Sequence, residues 1–423
     1  MHQKTILKNG LRVIIAPMAG TKTATVLVMV GTGGKYETRE TSGISHFLEH
    51  LFFKGTKKRQ TTSKIAESLE ILGADYDAFT SKEYTGFYAK TANFNFDKSA
   101  EIISDILINS LFFKEEIERE RGVILEEIKM IKDDPPRYIG DLFEILLYGD
   151  TPAGWDFGGT PETVGSIARE QILKYFKSQY VSKNIVISVA GAVNETDVLR
   201  EVKKYFGDFN GRDFKRKDPV KEKQEKPQVL LYNKKTDQTH ISLGVRAYSM
   251  AHADRHVLAL LGIILGGGMS SRLFTSVRGD LGLAYYIYSS SDLYTDCGYF
   301  TTQAGIDAKN VEKTVGIILS EYKKIAEKGP AAAELQKVKD YIKGRMIMSL
   351  ESSSAMASFF AGQEILEGKI LTPEEKMAKI DAVSVDDIQR VAKDIFKNEK
   401  LNLAVVGPLK KKDEERLGKI LRL

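Results

Sequence analysis

Two hydrophobic patterns divide much of the chain into predicted helices and strands. Within residues 115–131, apolar side chains recur at helical spacing and predict an amphipathic helix. Residues 5–15 predict a β-hairpin that turns at an Asn-Gly pair. The apolar run at residues 25–30 predicts a strand, which precedes a further helix around residues 46–50. Hairpins combined with long helices are typical of α+β domains.

One series of elements occurs in both halves of the chain. A helix at about residues 168–179 leads to an apolar segment, residues 184–191, that ends in glycine. A helix at about residues 386–396 leads in the same way to residues 402–407. The offset between the two copies is roughly 215 residues, which predicts an internal duplication.

Length and repetition together predict two homologous domains. A chain of 423 residues exceeds what one hydrophobic core normally serves. We expect domains at residues 1–212 and 229–423, joined by a charged, proline-containing linker at residues 213–228. Each domain is predicted to be α+β, a mostly antiparallel sheet with helices packed on one face.

Composition narrows the class of protein. Hydrophobic residues make up 42% of the chain and charged residues 28%, and no apolar run is long enough to predict a membrane span. The net charge of +5 is small and dispersed, which argues against a nucleic-acid partner. The N-terminus lacks the apolar core of a signal peptide, and a single cysteine excludes an internal disulfide framework. We therefore expect a cytoplasmic protein with neither a membrane nor a nucleic-acid partner.

The candidate chemistry is concentrated in the pentapeptide His-Phe-Leu-Glu-His at residues 46–50. One helical turn places His46 and His50 on the same face, so both imidazoles can reach one metal ion. Glu49 borders that face and is placed to take a proton from a water molecule. The order H-x-x-E-H is a signature of zinc hydrolases. The alternative is a chance grouping on an exposed helix, because two imidazoles alone are too few ligands for catalytic zinc.

A third ligand is predicted in the amphipathic helix at residues 115–131. With Ile124 on the buried stripe, the helical wheel places Glu127 beside that stripe and Glu126 on the far side. A carboxylate at the border of a buried face is costly unless a cation compensates it, so Glu127 is the preferred ligand. Glu120 is expected either to hydrogen-bond a ligating imidazole or to be an ordinary charge of this helix.

At these residues the chain resembles the inverted-motif zinc peptidases typified by pitrilysin, insulin-degrading enzyme and the mitochondrial processing peptidase. In that family 76 residues separate the second histidine from a glutamate ligand, as they separate His50 from Glu127 here. Residues 46–56 and 120–127 also match the family pattern. The similarity covers essentially the whole chain and is greatest to the processing-peptidase-like branch, whose chains contain two repeats.

The resemblance implies further site residues outside the zinc motif. Arg278 and Tyr285 match the family's distal arginine and tyrosine, whereas without the resemblance they indicate a surface charge and a core or strand aromatic. We expect both to donate hydrogen bonds to the developing oxyanion and to substrate carbonyls. The family's substrate-binding edge strand has an asparagine where Asp77 stands here. The residues of this strand are Asp77, Ala78, Phe79, Thr80 and Ser81.

Other histidines and glycines carry weaker signals. His252 and His256 repeat the i, i+4 spacing, but Arg255 stands where the glutamate would be. We expect a loop residue and a helix start there instead of a second metal site, because a guanidinium repels a cation. The glycine triplet at residues 266–268 lacks the lysine of a phosphate loop and predicts a helix terminus.

These residues predict a zinc metalloendopeptidase that uses Zn²⁺ to hydrolyse peptide bonds of unfolded or short polypeptides. The resemblance further implies a homodimer whose domains enclose a closed chamber. One alternative is a peptidase dedicated to processing a single precursor. Another is a non-catalytic partner subunit of a processing or assembly complex, against which the retention of all three candidate ligands argues.

Overall fold

The structure is a computed structural model that describes residues 2–423. Its strands, in chain order, are β1 (Gln3–Ile6), β2 (Arg12–Pro17), β3 (Thr23–Val30), β4 (Asp75–Thr80), β5 (Thr85–Ala92), β6 (Ile185–Gly191), β7 (Gln228–Asn233), β8 (Thr239–Arg246), β9 (Ala284–Leu293), β10 (Gly298–Ile306) and β11 (Leu401–Gly407). Its α-helices are α1 (Ile44–Phe52), α2 (Thr62–Glu70), α3 (Phe96–Asn109), α4 (Lys114–Asp133), α5 (Pro135–Tyr148), α6 (Pro161–Ser166), α7 (Arg169–Gln179), α8 (Glu195–Phe206), α9 (Arg255–Gly266), α10 (Val311–Lys328), α11 (Ala332–Ser349), α12 (Ser353–Glu367), α13 (Pro373–Asp381), α14 (Val385–Ile395) and α15 (Lys411–Ile420).

The chain forms two compact units, and each combines most of one half of the chain with a segment of the other half. Of the described residues, unit 1 comprises 2–129, 155–218 and 347–372, and unit 2 comprises 130–154, 219–346 and 373–423. The structure thus differs from the two contiguous domains expected at residues 1–212 and 229–423, because α5 belongs to unit 2 and α12 to unit 1. The unit boundary at residue 218 falls inside the expected linker.

Unit 1 is built on a six-stranded sheet with the order β1-β2-β6-β3-β5-β4. Neighbouring strands are antiparallel except β2 and β6, which are parallel. The predicted hairpin is confirmed as β1 and β2, and Gly10 in its turn has a φ of +86°, which favours glycine. One face of the sheet packs on α1, α3 and α8 and forms the main core of the unit.

The second face of this sheet is covered as well. Ile14, Leu27 and Val186 of three neighbouring strands are buried there against Phe360 of α12. The expectation of helices on one face only is corrected by this contact. The strand β3, in which nearly every residue is apolar, is typical of strands that are buried on both faces.

Unit 2 repeats the plan with a five-stranded sheet in the order β7-β11-β8-β10-β9. Its strands β7 and β11 are parallel, and the other neighbours are antiparallel. One face packs on α9, α10 and α14, and the other packs on α5 through Ile139 and Phe143. In both units a helix leads into a central strand that ends in glycine, α7 into β6 and α14 into β11, so the internal duplication is confirmed. Among residues 2–423, no helix combines the length and the apolar character that crossing a membrane requires.

Candidate metal centre in unit 1

The helix α1 places the zinc motif, and its N-terminus is held by a buried carboxylate. Phe47 and Leu48 point into the main core and fix the rotation of the helix. At the start of the helix, Gly43 has no side chain to cap the free backbone N–H groups. Glu37 does so instead, because its two carboxylate oxygens accept from the N–H groups of Gly43 at 2.7 Å and of Ser45 at 2.8 Å.

Three candidate ligands converge at this helix. The Nε2 atoms of His46 and His50 are 3.3 Å apart, and they lie 3.5 Å and 3.6 Å from Oε2 of Glu127. All three ligand atoms lie within 4.8 Å of one another. Within residues 2–423 this is the one group of three His, Cys, Asp or Glu side chains with that geometry. Two imidazole nitrogens and one carboxylate oxygen are a donor set that catalytic zinc accepts, so the residues fit this metal.

The helix α4 presents Glu127 to the histidines because of its buried face. Ile124 and Ile128 are almost fully buried, which turns Glu127 toward α1 with about a quarter of its side chain exposed. Glu126 points outward, where its carboxylate pairs with Lys129 at 2.7 Å and its side chain is 74% exposed. The structure therefore has the helical register that the sequence pattern predicts.

Glu120 lies between His50 and Lys54, a lysine that the sequence pattern does not mark as a site residue. Its Oε2 lies 3.1 Å from Nδ1 of His50, and its Oε1 lies 2.7 Å from Nζ of Lys54. Glu120 is buried, so the ammonium group compensates its charge. A carboxylate that accepts from Nδ1–H leaves Nε2 of the same ring free to bind a metal. Of the two roles considered for Glu120, the structure places it in hydrogen-bond contact with a candidate ligand.

Glu49 is largely buried at the site, and its pKa is raised. Burial raises its pKa and the negative charges of Asp77 and Glu127 add to that shift, whereas the nearby Thr80 side chain and the charge of His50 oppose it. Burial by itself lowers the pKa of His50, but the nearby carboxylates of Glu127 and Glu120 outweigh burial, so that pKa is raised. A carboxyl group with a raised pKa is suited to take up a proton near neutral pH.

The predicted substrate strand is β4, which lies at the edge of the unit 1 sheet and pairs only with β5. Residues 77–80 belong to this strand and Ser81 follows it. Thr80 lies close enough to Glu49 to lower its pKa, so this end of the edge strand adjoins the metal site. The Asp77 carboxylate accepts from the N–H of Ala78 at 2.8 Å and adds negative charge where the family has an asparagine.

A loop that the sequence analysis did not identify packs against His46. The ring of Phe157 meets the imidazole edge-on, with ring centroids 5.6 Å apart. Gly158 follows, and a Cβ there would lie 3.8 Å from Nδ1 of His46 and 3.3 Å from a carboxylate oxygen of Asp156. The Gly158-Gly159 pair was the available signal for such a close approach.

Arg278 and Tyr285 lie together in unit 2. The Arg278 guanidinium carbon is 5.0 Å from the ring centroid of Phe274 and 5.9 Å from that of Tyr285. Tyr285 is the second residue of the edge strand β9 and is 73% exposed, so it is not a core aromatic. Elsewhere in unit 2, His252 stacks on Tyr248 with ring centroids 3.9 Å apart.

The remaining sequence features lie where helices begin and end. His256 is the second residue of α9, as the interpretation of a helix start required. The same helix ends at Gly266, so the glycine triplet at residues 266–268 begins at a helix terminus.

Comparison with known proteins identifies the class to which this fold and site belong. A family model described as insulinase, peptidase family M16, matches residues 12–154. A second, described as peptidase M16 inactive domain, matches residues 166–342. The chain therefore belongs to peptidase family M16, and the resemblance noted in the sequence is confirmed.

Individual relatives are similar over nearly the whole chain. The uncharacterized zinc protease YmxG of Bacillus subtilis is 34% identical over 409 residues, which cover 96% of this chain and 98% of that protein. An uncharacterized zinc protease of Streptomyces coelicolor is 32% identical over 425 residues, which cover 98% of this chain and 91% of that protein. The crystal structure of a protease from Helicobacter pylori has a TM-score of 0.90 and 27% identity, and covers 96% of this chain and 99% of its own.

Proposed function

We propose that this chain is a zinc-dependent endopeptidase that cleaves unfolded or short polypeptides. The observation that carries the proposal is the convergence of the His46, His50 and Glu127 ligand atoms within 4.8 Å, with the Glu49 carboxyl group on the same helix. The names of the zinc proteases in Bacillus subtilis and Streptomyces coelicolor support the choice of metal.

In this proposal His46, His50 and Glu127 hold the metal, and Glu49 moves the proton. Zinc, when bound at such a site, lowers the pKa of a water molecule and polarises a carbonyl group. Glu49 accepts the proton of the attacking water on its carboxylate and passes it to the nitrogen of the leaving amine.

The position of β4 supports an extended substrate. An edge strand offers unpaired backbone N–H and C=O groups, to which a peptide can add as a further strand. Pairing along residues 77–81 requires the substrate backbone to be extended. A folded protein presents few such segments, so the proposed substrates are short or unfolded chains. The Asp77 carboxylate favours substrates with positive charge near this strand.

Arg278 and Tyr285 are proposed to donate hydrogen bonds to the substrate and to the oxyanion. A guanidinium and a phenol are suitable donors for developing negative charge. The high exposure of Tyr285 leaves its hydroxyl accessible to a peptide. The homodimer and the enclosed chamber implied by the resemblance belong to the same proposal, and sedimentation of the full chain is expected to show a particle of two chains.

A metal analysis combined with a peptide-library digest tests the function. The purified full chain is expected to contain one zinc ion and to cleave unstructured peptides, to lose cleavage with a chelator, and to regain it with added zinc. A folded protein of similar sequence composition serves as the control substrate and should stay intact. Cleavage of many peptides supports general degradation, whereas cleavage at one motif supports a dedicated processing peptidase. A zinc-loaded chain that cleaves no peptide would instead indicate a non-catalytic partner subunit.

A further inference from the structure

Tyr285 is the unpaired residue of a β-bulge. On the neighbouring strand β10, Gly305 is opposite Tyr286, but the next residue, Ile306, is opposite Ala284. Tyr285 therefore has no partner residue across the ladder. A bulge adds one residue to a strand, bends it, and changes the direction of a side chain, and bulges are frequent beside active sites.

The burial pattern of β9 shows the effect of this extra residue. In a regular strand, side chains on one face recur every second residue. Here Ala284 and Ile287 both lie in the main core of unit 2, although they are three residues apart. The bulge allows both to be buried while Tyr285, between them, is 73% exposed. Without the bulge, Ala284 and Ile287 would point to opposite faces of the sheet, and only one of them could be buried in this core.

One contact spans three strands beside the bulge. His240 of β8, Gly305 of β10 and Tyr286 of β9 are in register with one another. Nδ1 of His240 and the hydroxyl of Tyr286 are hydrogen-bonded at 2.9 Å, and the two rings are stacked with centroids 5.8 Å apart. The two side chains meet over the middle strand because residue 305 has no Cβ.

Glycine at that middle position leaves room for the Tyr286 ring. A Cβ at Gly305 would lie 2.6 Å from Cε1 of Tyr286, closer than real Cβ atoms come to a neighbour. Any other residue would push the Tyr286 ring away from His240. Gly305 thus permits the contact between Tyr286 and His240, and this contact restrains Tyr286, the residue that follows Tyr285.

We infer that His240 and Tyr286 are positioning residues that fix the bulge and thereby direct the Tyr285 hydroxyl toward the substrate. This inference rests on the role of Tyr285 in the proposed function. The bulged residue has no ladder partner, so its orientation depends on how firmly its neighbours are held. Tyr286 is the adjacent residue, and its hydroxyl is held by His240, which is 5% exposed. Loss of this hydrogen bond lets the bulge move without removing any group from the substrate.

The test compares Tyr286→Phe with Tyr285→Phe and with the double variant, all as zinc-loaded full chains. Tyr286→Phe keeps the ring and removes the hydroxyl, so we expect kcat to fall about threefold to tenfold, the worth of one hydrogen bond, with KM and zinc content unchanged. In the Tyr285→Phe background the same change should have no further effect, because Tyr286 acts only through Tyr285. Tyr288→Phe is the matched control, since its hydroxyl donates to Gln303 farther along the strand, and it should retain wild-type turnover.

The outcomes separate this inference from the proposed function. Impaired Tyr285→Phe with wild-type Tyr286→Phe would overturn the inference alone. Equal fold losses from Tyr286→Phe in both backgrounds would also overturn it, because they indicate a general structural effect. Full turnover of Tyr285→Phe would overturn the role of Tyr285 and the inference with it.

A second pair of variants applies if Tyr286→Phe does not fold. His240→Asn keeps a hydrogen-bonding amide near the position of Nδ1, whereas His240→Leu removes the partner altogether. We expect turnover close to wild type for His240→Asn and a lower kcat for His240→Leu. Equal kcat values for the two variants would contradict the positioning role.

Discussion

Replacing Glu120 by glutamine is expected to weaken zinc binding, although Glu120 is not one of the candidate ligands. Its two carboxylate oxygens serve two partners, Nδ1 of His50 at 3.1 Å and Nζ of Lys54 at 2.7 Å. A glutamine has one oxygen and one NH₂ group, and both partners are donors when Nε2 of His50 binds metal. The amide can therefore accept from only one of them and must present its own donor to the other.

The size of the expected decrease in zinc affinity follows from the loss of one charge-assisted hydrogen bond in a buried site. Such a bond contributes about 1.5–3 kcal/mol. That free energy corresponds to a change of roughly 10-fold to 150-fold in zinc affinity, in line with the 10-fold to 100-fold effects of hydrogen-bond partners of metal-bound histidines. The decrease in zinc affinity should lie in the upper part of this range, because Glu120 is buried and water cannot replace the missing acceptor.

Competition with a chromophoric zinc chelator at pH 7 measures the affinity. Glu118→Gln is the matched control, because Glu118 lies on the same helix with its side chain 69% exposed and pairs with Arg121. We expect affinity within about twofold of wild type for the control, as befits an exposed ion pair. A Glu120→Gln variant with folded circular dichroism and unchanged zinc affinity would refute the proposed contact between Glu120 and a metal ligand.

Further predictions concern the third ligand Glu127, the stability of the fold at low pH and the helix α12. Glu127→Gln should lower zinc affinity more than about 100-fold, whereas Glu126→Gln should leave it unchanged in the same chelator assay, since Glu126 only pairs with a lysine at the surface. Burial, and then the nearby charge of an arginine, lowers the pKa of His256 to about 4. The unfolded chain therefore binds more protons between that value and about 6.5, and stability should fall as the pH falls through this window. His256→Gln should reduce the difference in Tm between pH 7 and pH 5, and an unchanged difference would contradict the assignment. Phe360→Ala should lower the free energy of unfolding in urea by about 3–5 kcal/mol, because Phe360 is buried against the unit 1 sheet. Ser358→Ala, at an exposed position of the same helix, should lower it by less than about 0.5 kcal/mol. Similar values for both variants would show that α12 does not stabilise unit 1.

The candidate site was largely predictable because its residues follow local patterns. The i, i+4 spacing places His46 and His50 on one face of α1, and the buried positions Ile124 and Ile128 determine which way Glu127 points. These relations depend on helix geometry alone. The sequence therefore predicts the register of α4 correctly before any tertiary contact is known.

Features that depend on contacts between distant segments were not predictable in this way. Lys54 and Phe157 reach the site through tertiary packing. Helix geometry places neither of them, because Lys54 lies beyond the end of α1 at Phe52 and Phe157 lies in a loop. The bulge at Tyr285 is equally absent from the pattern, because the extra residue only appears when β9 is compared with its partner strand. The packing of α12 on the second face of the unit 1 sheet is partly visible in the sequence. The mostly apolar strand β3 indicates that both faces of the sheet are covered, but it does not identify which helix covers the second face.

Turnover of zinc-matched wild type and Glu49→Gln on one unstructured peptide tests whether this site hydrolyses peptide bonds. The substitution removes the proposed base from α1 and leaves His46, His50 and Glu127 in place. We expect equal zinc content in the two proteins and a kcat about 10²-fold to 10⁴-fold lower in the variant, the usual contribution of general acid–base catalysis. Equal turnover at equal zinc content would contradict the assignment of this site as the peptidase centre.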